Sequence, residues 1–132
     1  MGTLIDTSVL IEVERNRLDL SKYVAPSSND YFISVITVSE LLHGLHRTTA
    51  SSMHSRRKAF IEDVLEQFPI LDIDIDIAQK HAQIWAELAR AGKIIGMNDL
   101  WLAATCLSRH LKLVTYNVRE FERVAGLDFE IW

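Results

Sequence analysis

The chain has 132 residues, 14 basic and 18 acidic, a formal net charge of −4, and a single cysteine. That length suits one domain with its own core. One cysteine excludes a disulfide framework or zinc ribbon, the acidic balance argues against a broad basic nucleic-acid surface, and no apolar run approaches the roughly 20 residues that span a bilayer.

The N-terminus MGTLIDTSVLI meets an acid at Asp6 and has no basic leader, so no signal peptide is expected and the expected compartment is the cytoplasm, with no membrane partner. Leu4-Ile5 reads as a short strand ending at Asp6, with Thr7 or Ser8 placed to cap a helix from Val9 to about Glu14. A weaker helical stretch lies near Leu18 to Val24, turn chemistry follows at Pro26 to Asp30, and Tyr31 to Val35 is rich in strand formers. From Thr37 to His46 the residues Val38, Leu41, Leu42 and Leu45 share one helical face. The polar RTTASSMHS of 47–55 reads as a loop, Arg56 to Gln67 as an amphipathic helix, and Ile70 to Ile73 as a strand after Pro69. Ile77 to Ala91 is a long helix closed by Gly92. Asn98 to His110 is a helix that is almost wholly apolar from Leu100 on. Leu113 to Thr115 reads as a buried strand, Val118 to Val124 as a short helical turn, and Phe129 to Trp132 as a last strand. Strands alternating with longer helices predict an α/β fold with a parallel sheet.

Sites in such sheets gather outside the carboxyl ends of the strands. That rule singles out Asp6, Glu40 and Asp99. Each has a local alternative. Asp6 could cap the first helix, although Thr7 and Ser8 are also available. Thr37-Val38-Ser39-Glu40 fits a capping box. Asp99 in a first helical turn gains about 0.3–1 kcal/mol from the helix dipole, but Asn98 is the better N-cap, and a charge heading an apolar helix needs a partner or a cation. Taken together, three carboxylates at one sheet edge would repel and raise each other's pKa. Mg²⁺ or Mn²⁺, which prefer carboxylate and water oxygens, remove that repulsion. Such an ion activates water and stabilises a phosphodiester in transit.

Other residues carry less. His43 and His46 share a helical face but lack an evident third ligand. Arg47, His54, Arg56, Arg57 and Lys58 form the one basic cluster, which reads equally as phosphate contacts or as a solvated loop and helix start. Asp72-Ile73-Asp74-Ile75-Asp76 lacks the glycine turn and terminal Glu of a calcium loop and reads as a strand edge entering a helix. Cys106 reads as core, and Trp85 and Trp101 as packing or interface residues.

With LIDTSVLIE at 4–12, ISVITVSELLHGL at 33–45, NDLWLAATCL at 98–107 and LVTYNVREFERVAGL at 113–127, the chain resembles PIN-domain ribonucleases of the VapC type, toxins of bacterial toxin–antitoxin pairs. The resemblance covers essentially the whole chain. It implies a single PIN domain over 1–132, built as a three-layer α/β/α sandwich around a mostly parallel sheet of about five strands. It implies metal-binding or catalytic roles for Asp6, Glu40 and Asp99, with Thr7, Ser8 and Thr115 as supporting hydroxyls. The departure is at the fourth acid. Many members carry Asp where this chain has Asn117, and Glu120 is a longer substitute three residues on, unless it is a solvated acid paired with Arg119 or Arg123. A second metal should then bind more weakly than the first.

The resemblance further implies a Mg²⁺-dependent endoribonuclease acting on structured RNA such as tRNA or rRNA, with direct water attack leaving a 5′-phosphate and a 3′-hydroxyl. It implies a homodimer, and a VapB-like antitoxin that occludes the site with a basic side chain. Asn117 keeps a second reading open, a weakly active or inactive binding module working mainly in an antitoxin complex on operator DNA. A nuclease acting on DNA is a third.

Overall fold

The structure, a computed structural model, describes residues 2–26 and 28–132. Five strands, β1 (Thr3–Ile5), β2 (Tyr31–Ser34), β3 (Ile70–Leu71), β4 (Lys112–Val114) and β5 (Phe129–Glu130), form one sheet in the order β3-β2-β1-β4-β5. Every pairing in it is parallel, with Leu4 of β1 opposite Phe32 on one side and Leu113 on the other. Among the described residues, six α-helices connect the strands: α1 (Thr7–Glu14), α2 (Val35–His46), α3 (Ser51–Gln67), α4 (Ile75–Ala91), α5 (Met97–Arg109) and α6 (Val118–Phe121).

The side-chain alternation of the strands divides the core in two. Leu4 and Leu113 face one way, onto Ile77, Ile84 and Leu88 of α4, Leu100 and Leu102 of α5, and Phe121 of α6. Ile5, Ile33 and Val114 face the other way, onto Val9 and Leu10 of α1, Leu41 and Leu45 of α2, and Ile61 and Val64 of α3. This is the three-layer α/β/α arrangement. Both faces are covered, which explains why the central strands read as unbroken apolar pairs rather than as apolar–polar alternation. The chain moves outward from β1 through β2 to β3, then returns to lay β4 and β5 on the opposite side. A topological switch therefore falls between β1 and β4, where open parallel sheets place their sites.

Several boundaries differ from the sequence reading. α1 starts at Thr7 directly after Asp6, so neither Thr7 nor Ser8 caps it; both lie in its first turn. α2 starts at Val35, because Ser34 at the end of β2 caps it, its hydroxyl accepting from the Ile36 N–H at 3.0 Å. Thr37 is consequently inside the helix and buried, and the Thr37–Glu40 capping box does not form. Leu42, assigned to the apolar face, is exposed. α3 starts at Ser51, which shortens the expected 47–55 loop to 47–50. α4 starts at Ile75 under an Asp74 cap, with Asp74 Oδ1 accepting from the Ile77 N–H at 2.9 Å. It closes at Gly92, in the left-handed conformation with φ +67°, where the Lys93 N–H returns to the Leu88 carbonyl at 2.9 Å. α5 begins at Met97 after Gly96, so Asn98 is an exposed first-turn residue and not the cap.

The stretch from Leu18 to Val24 contains only one 3₁₀ turn, Leu20–Lys22. The expected strands at 70–73 and 129–132 reduce to two residues each, and the helical turn after Asn117 stops at Phe121. Of the turn expected at 26–30, Ser27 lies outside the described residues. Among the described residues, no helix is long and apolar enough to cross a membrane.

Candidate functional site

Asp6 is the first residue past β1, and its N–H donates to the Val114 carbonyl of β4 at 2.9 Å, which fixes the acid between the two strands at the switch. Its side chain is buried. Asp6 Oδ2 accepts from the Thr115 hydroxyl at 2.7 Å and from the Ser8 hydroxyl at 2.9 Å. Burial raises the Asp6 pKa, with a contribution from the charge of Glu40, and these two hydroxyls oppose the rise.

Glu40 reaches the same edge from the second turn of α2. Its Oε1 accepts from the Thr7 hydroxyl at 2.6 Å, and that hydroxyl lies 3.2 Å from the hydroxyl of buried Thr37. Thr37 is a member of the site that the sequence reading placed in a cap. The T-x-x-E spacing that suggested the cap instead puts the two residues on one helix face.

Asp99 comes in from the first turn of α5. Burial first, then the charges of Asp6, Glu120 and Glu40, push its pKa up to about 7. Its partner is the Asn117 side chain, whose Nδ2 donates to Asp99 Oδ2 at 2.7 Å. Asn117 also ties this acid to Asp6, because its backbone N–H donates at 2.9 Å to the same Thr115 hydroxyl that donates to Asp6. Glu120 is half-buried, and its Oε2 is fully enclosed without a hydrogen-bond partner. The expected pairing with Arg119 or Arg123 does not form: Arg123 donates to the Ile94 carbonyl at 3.0 Å, and among the described residues no ion pair includes Glu120.

The structure thus gathers Asp6, Glu40, Asp99, Asn117 and Glu120, with Thr7, Ser8 and Thr115, around one edge. Among the described residues, no Lys or Arg pairs with these acids, and no three Asp, Glu, His or Cys side chains converge as a ligand set as they stand. Each of Asp6, Glu40 and Asp99 is held by a hydroxyl or amide donor instead. The chemistry of the set still suits a hard divalent cation: carboxylates whose charges add to the raised pKa of Asp99, one enclosed carboxylate oxygen without a donor, and neutral oxygens from Thr, Ser and Asn around them.

The basic cluster divides. Arg57 turns inward and holds Glu14 through Nε at 3.0 Å and Nη2 at 3.2 Å, while Arg47, Arg56 and Lys58 are exposed. Cys106 is core. Trp101 packs flat on buried His81 at 3.6 Å between ring centres, and Trp85 meets the same imidazole edge-on.

The PIN domain family model matches residues 3–127. The chain is similar to a ribonuclease VapC2 of Haemophilus influenzae, 38% identical over 130 residues that cover 98% of this chain and 96% of that protein. It is similar to a tRNA(fMet)-specific endonuclease VapC of Shigella flexneri, 36% identical over the same shares. Among solved structures, a DNA-bound VapBC from Salmonella typhimurium superposes with a TM-score of 0.91 at 33% identity, over all of this chain and 98% of that one. With its acids at the switch between β1 and β4 and a match from Thr3 to Leu127, the chain belongs to the PIN domain family, among the VapC ribonucleases.

Proposed function

We propose that the chain is the toxin of a toxin–antitoxin pair, a cytoplasmic, Mg²⁺-dependent endoribonuclease that hydrolyses structured RNA, and that Asp6, Glu40 and Asp99 carry the reaction. The observation behind this is the grouping of buried Asp6 with half-buried Glu40 and Asp99, in which Asp99 is destabilised as an anion first by burial and then by its acidic neighbours. Asp6 and Asp99 would hold the ion, with Glu40 beside them, and Mn²⁺ would substitute for Mg²⁺. When bound, the ion supplies positive charge against the carboxylates and the phosphate, and acidifies water. Ser8 and Thr115 keep Asp6 facing the edge, and Thr7 does the same for Glu40, which orients the attacking water. That water's oxygen bonds to phosphorus as the bond to the 3′-oxygen breaks, leaving a 5′-phosphate and a 3′-hydroxyl. Asn117 and Glu120 make up the fourth position, Asn117 holding Asp99 and Glu120 offering its enclosed oxygen.

The tRNA-specific relative makes tRNA the first substrate to try. The DNA-bound VapBC complex supports a VapB-like antitoxin as partner. A homodimer is supported by α4, where Ile75, Ala82, Trp85, Ala86 and Ala89 form an exposed apolar stripe away from the core face. The test is cleavage of bulk tRNA and of single-stranded DNA by purified chain with Mg²⁺ or Mn²⁺. RNA should be cut, and Asp6→Asn or Asp99→Asn should lower the rate on the order of 100-fold or more, as loss of several kcal/mol of charge stabilisation requires. A chain that leaves RNA intact but binds its antitoxin would favour the binding-module reading, and one that cuts only DNA would overturn the substrate.

A further inference from the structure

A cavity of about 480 Å³ opens beside the acids and shares Thr7 and Glu40 with them. Its size lies in the range of small-ligand pockets, roughly 300–1,000 Å³. Ile11 of α1, Leu41 of α2 and Phe60 of α3 give it apolar walls, and Asn98, next to Asp99, stands at its mouth. The far end is cationic. Arg57 is fixed there by Glu14 and by the Gly44 carbonyl, which accepts from Nη1 at 3.5 Å. A Cβ at position 44 would lie 3.3 Å from that nitrogen, so the glycine leaves the guanidinium its place. Arg15 and Arg47 are exposed at the same end, and among the described residues neither takes part in an ion pair. Glu14 is already neutralised by Arg57, and Glu40 faces the acids, so two cations are left for an anion in a chain of net charge −4.

Apolar walls leading from the reactive edge to a cationic end describe a base with its phosphate. We propose that this cavity seats the nucleotide next to the cleaved phosphodiester, with its base against Ile11, Leu41 and Phe60 and its phosphate toward Arg47. The assignment rests on the ribonuclease reading above and adds a specificity element to it: one flanking nucleotide is recognised outside the acids. A peptide side chain from the antitoxin is the competing occupant.

The test uses a synthetic RNA spanning the cleavage point mapped on bulk tRNA, with an abasic ribose placed in turn at each position flanking the cut. One position should lose about tenfold in kcat/KM, within what a single stacked base contributes, and the others little. Arg47→Ala should raise KM several-fold on the unmodified RNA with kcat held, because a phosphate contact made equally before and during the reaction leaves kcat alone. A flat abasic scan with cleavage intact overturns the pocket assignment alone. So does an Arg47→Ala chain whose KM is unchanged while its affinity for the antitoxin falls. Failure of the wild-type chain to cut any RNA overturns the ribonuclease reading and this assignment with it.

Discussion

Asp99 binds its proton more tightly in the folded chain than in the unfolded one, since its pKa moves from 3.8 to about 7. The metal-free fold is therefore favoured below the unfolded value and loses that contribution as pH rises through about 7. Asp6 is shifted in the same direction. In EDTA, the melting temperature should fall between about pH 4 and about pH 7, and Asp99→Asn should flatten the fall. Added Mn²⁺ should restore stability at the upper end, because binding to the folded state alone stabilises it. An identical pH slope in the variant would contradict the placement of Asp99 among the acids. That Asp6, Glu40 and Asp99 approach one edge was legible in the sequence, because Asp6 directly follows β1, Glu40 lies early in the helix after β2, and Asp99 lies in the first turn of α5. The dull alternatives failed for local reasons. Ser34 caps α2 before Thr37 can, and Arg123 turns to a carbonyl, leaving Glu120 enclosed. Neither competition is visible in spacing alone.

At the scale of elements, hydrophobic periodicity found all the long helices, while their starts shifted by one to five residues. At α2 and α4 a capping side chain lies ahead of the apolar period, Ser34 at the end of β2 and Asp74 in the link after β3, so each helix begins before that period does. α3 was read five residues short because its opening turn, Ser51 to Met53, is exposed and has no period to read. The end of α4 was legible, since Gly92 was expected to close it. Nothing lies within 4 Å of a Cβ built there, so only backbone conformation opposes a side chain. Gly92→Ala should cost about 1 kcal/mol in urea unfolding, the penalty of a left-handed L-residue, and leave the cleavage rate unchanged. No loss of stability would mean that the turn had been rebuilt.

For the whole molecule, alternation of strands and helices predicted a parallel sheet but not which strand lies in its centre. That order is set by pairings between distant segments, such as Leu4 with Leu113, which no local window contains. The α4 stripe belongs to this scale too, because the linear reading left Trp85 as either a packing or an interface residue, and its exposure beside the alanines shows only once α4 has committed Ile77, Ile84 and Leu88 to the core. The chain should run as a dimer in light scattering, and Trp85→Glu should run as a monomer with its circular dichroism unchanged. A wild-type chain that is monomeric at every concentration would contradict the role given to this face.

The bond from Thr115 to Asp6 joins residues 109 positions apart. During translation Asp6 therefore appears long before the hydroxyl that orients it and the strand that anchors its N–H. A nascent chain therefore emerges from the ribosome with its acids unassembled. A truncation before β4 should be inert however well its helices form, and the molecule becomes capable of cutting RNA only once β4 and Thr115 have been made and have met β1.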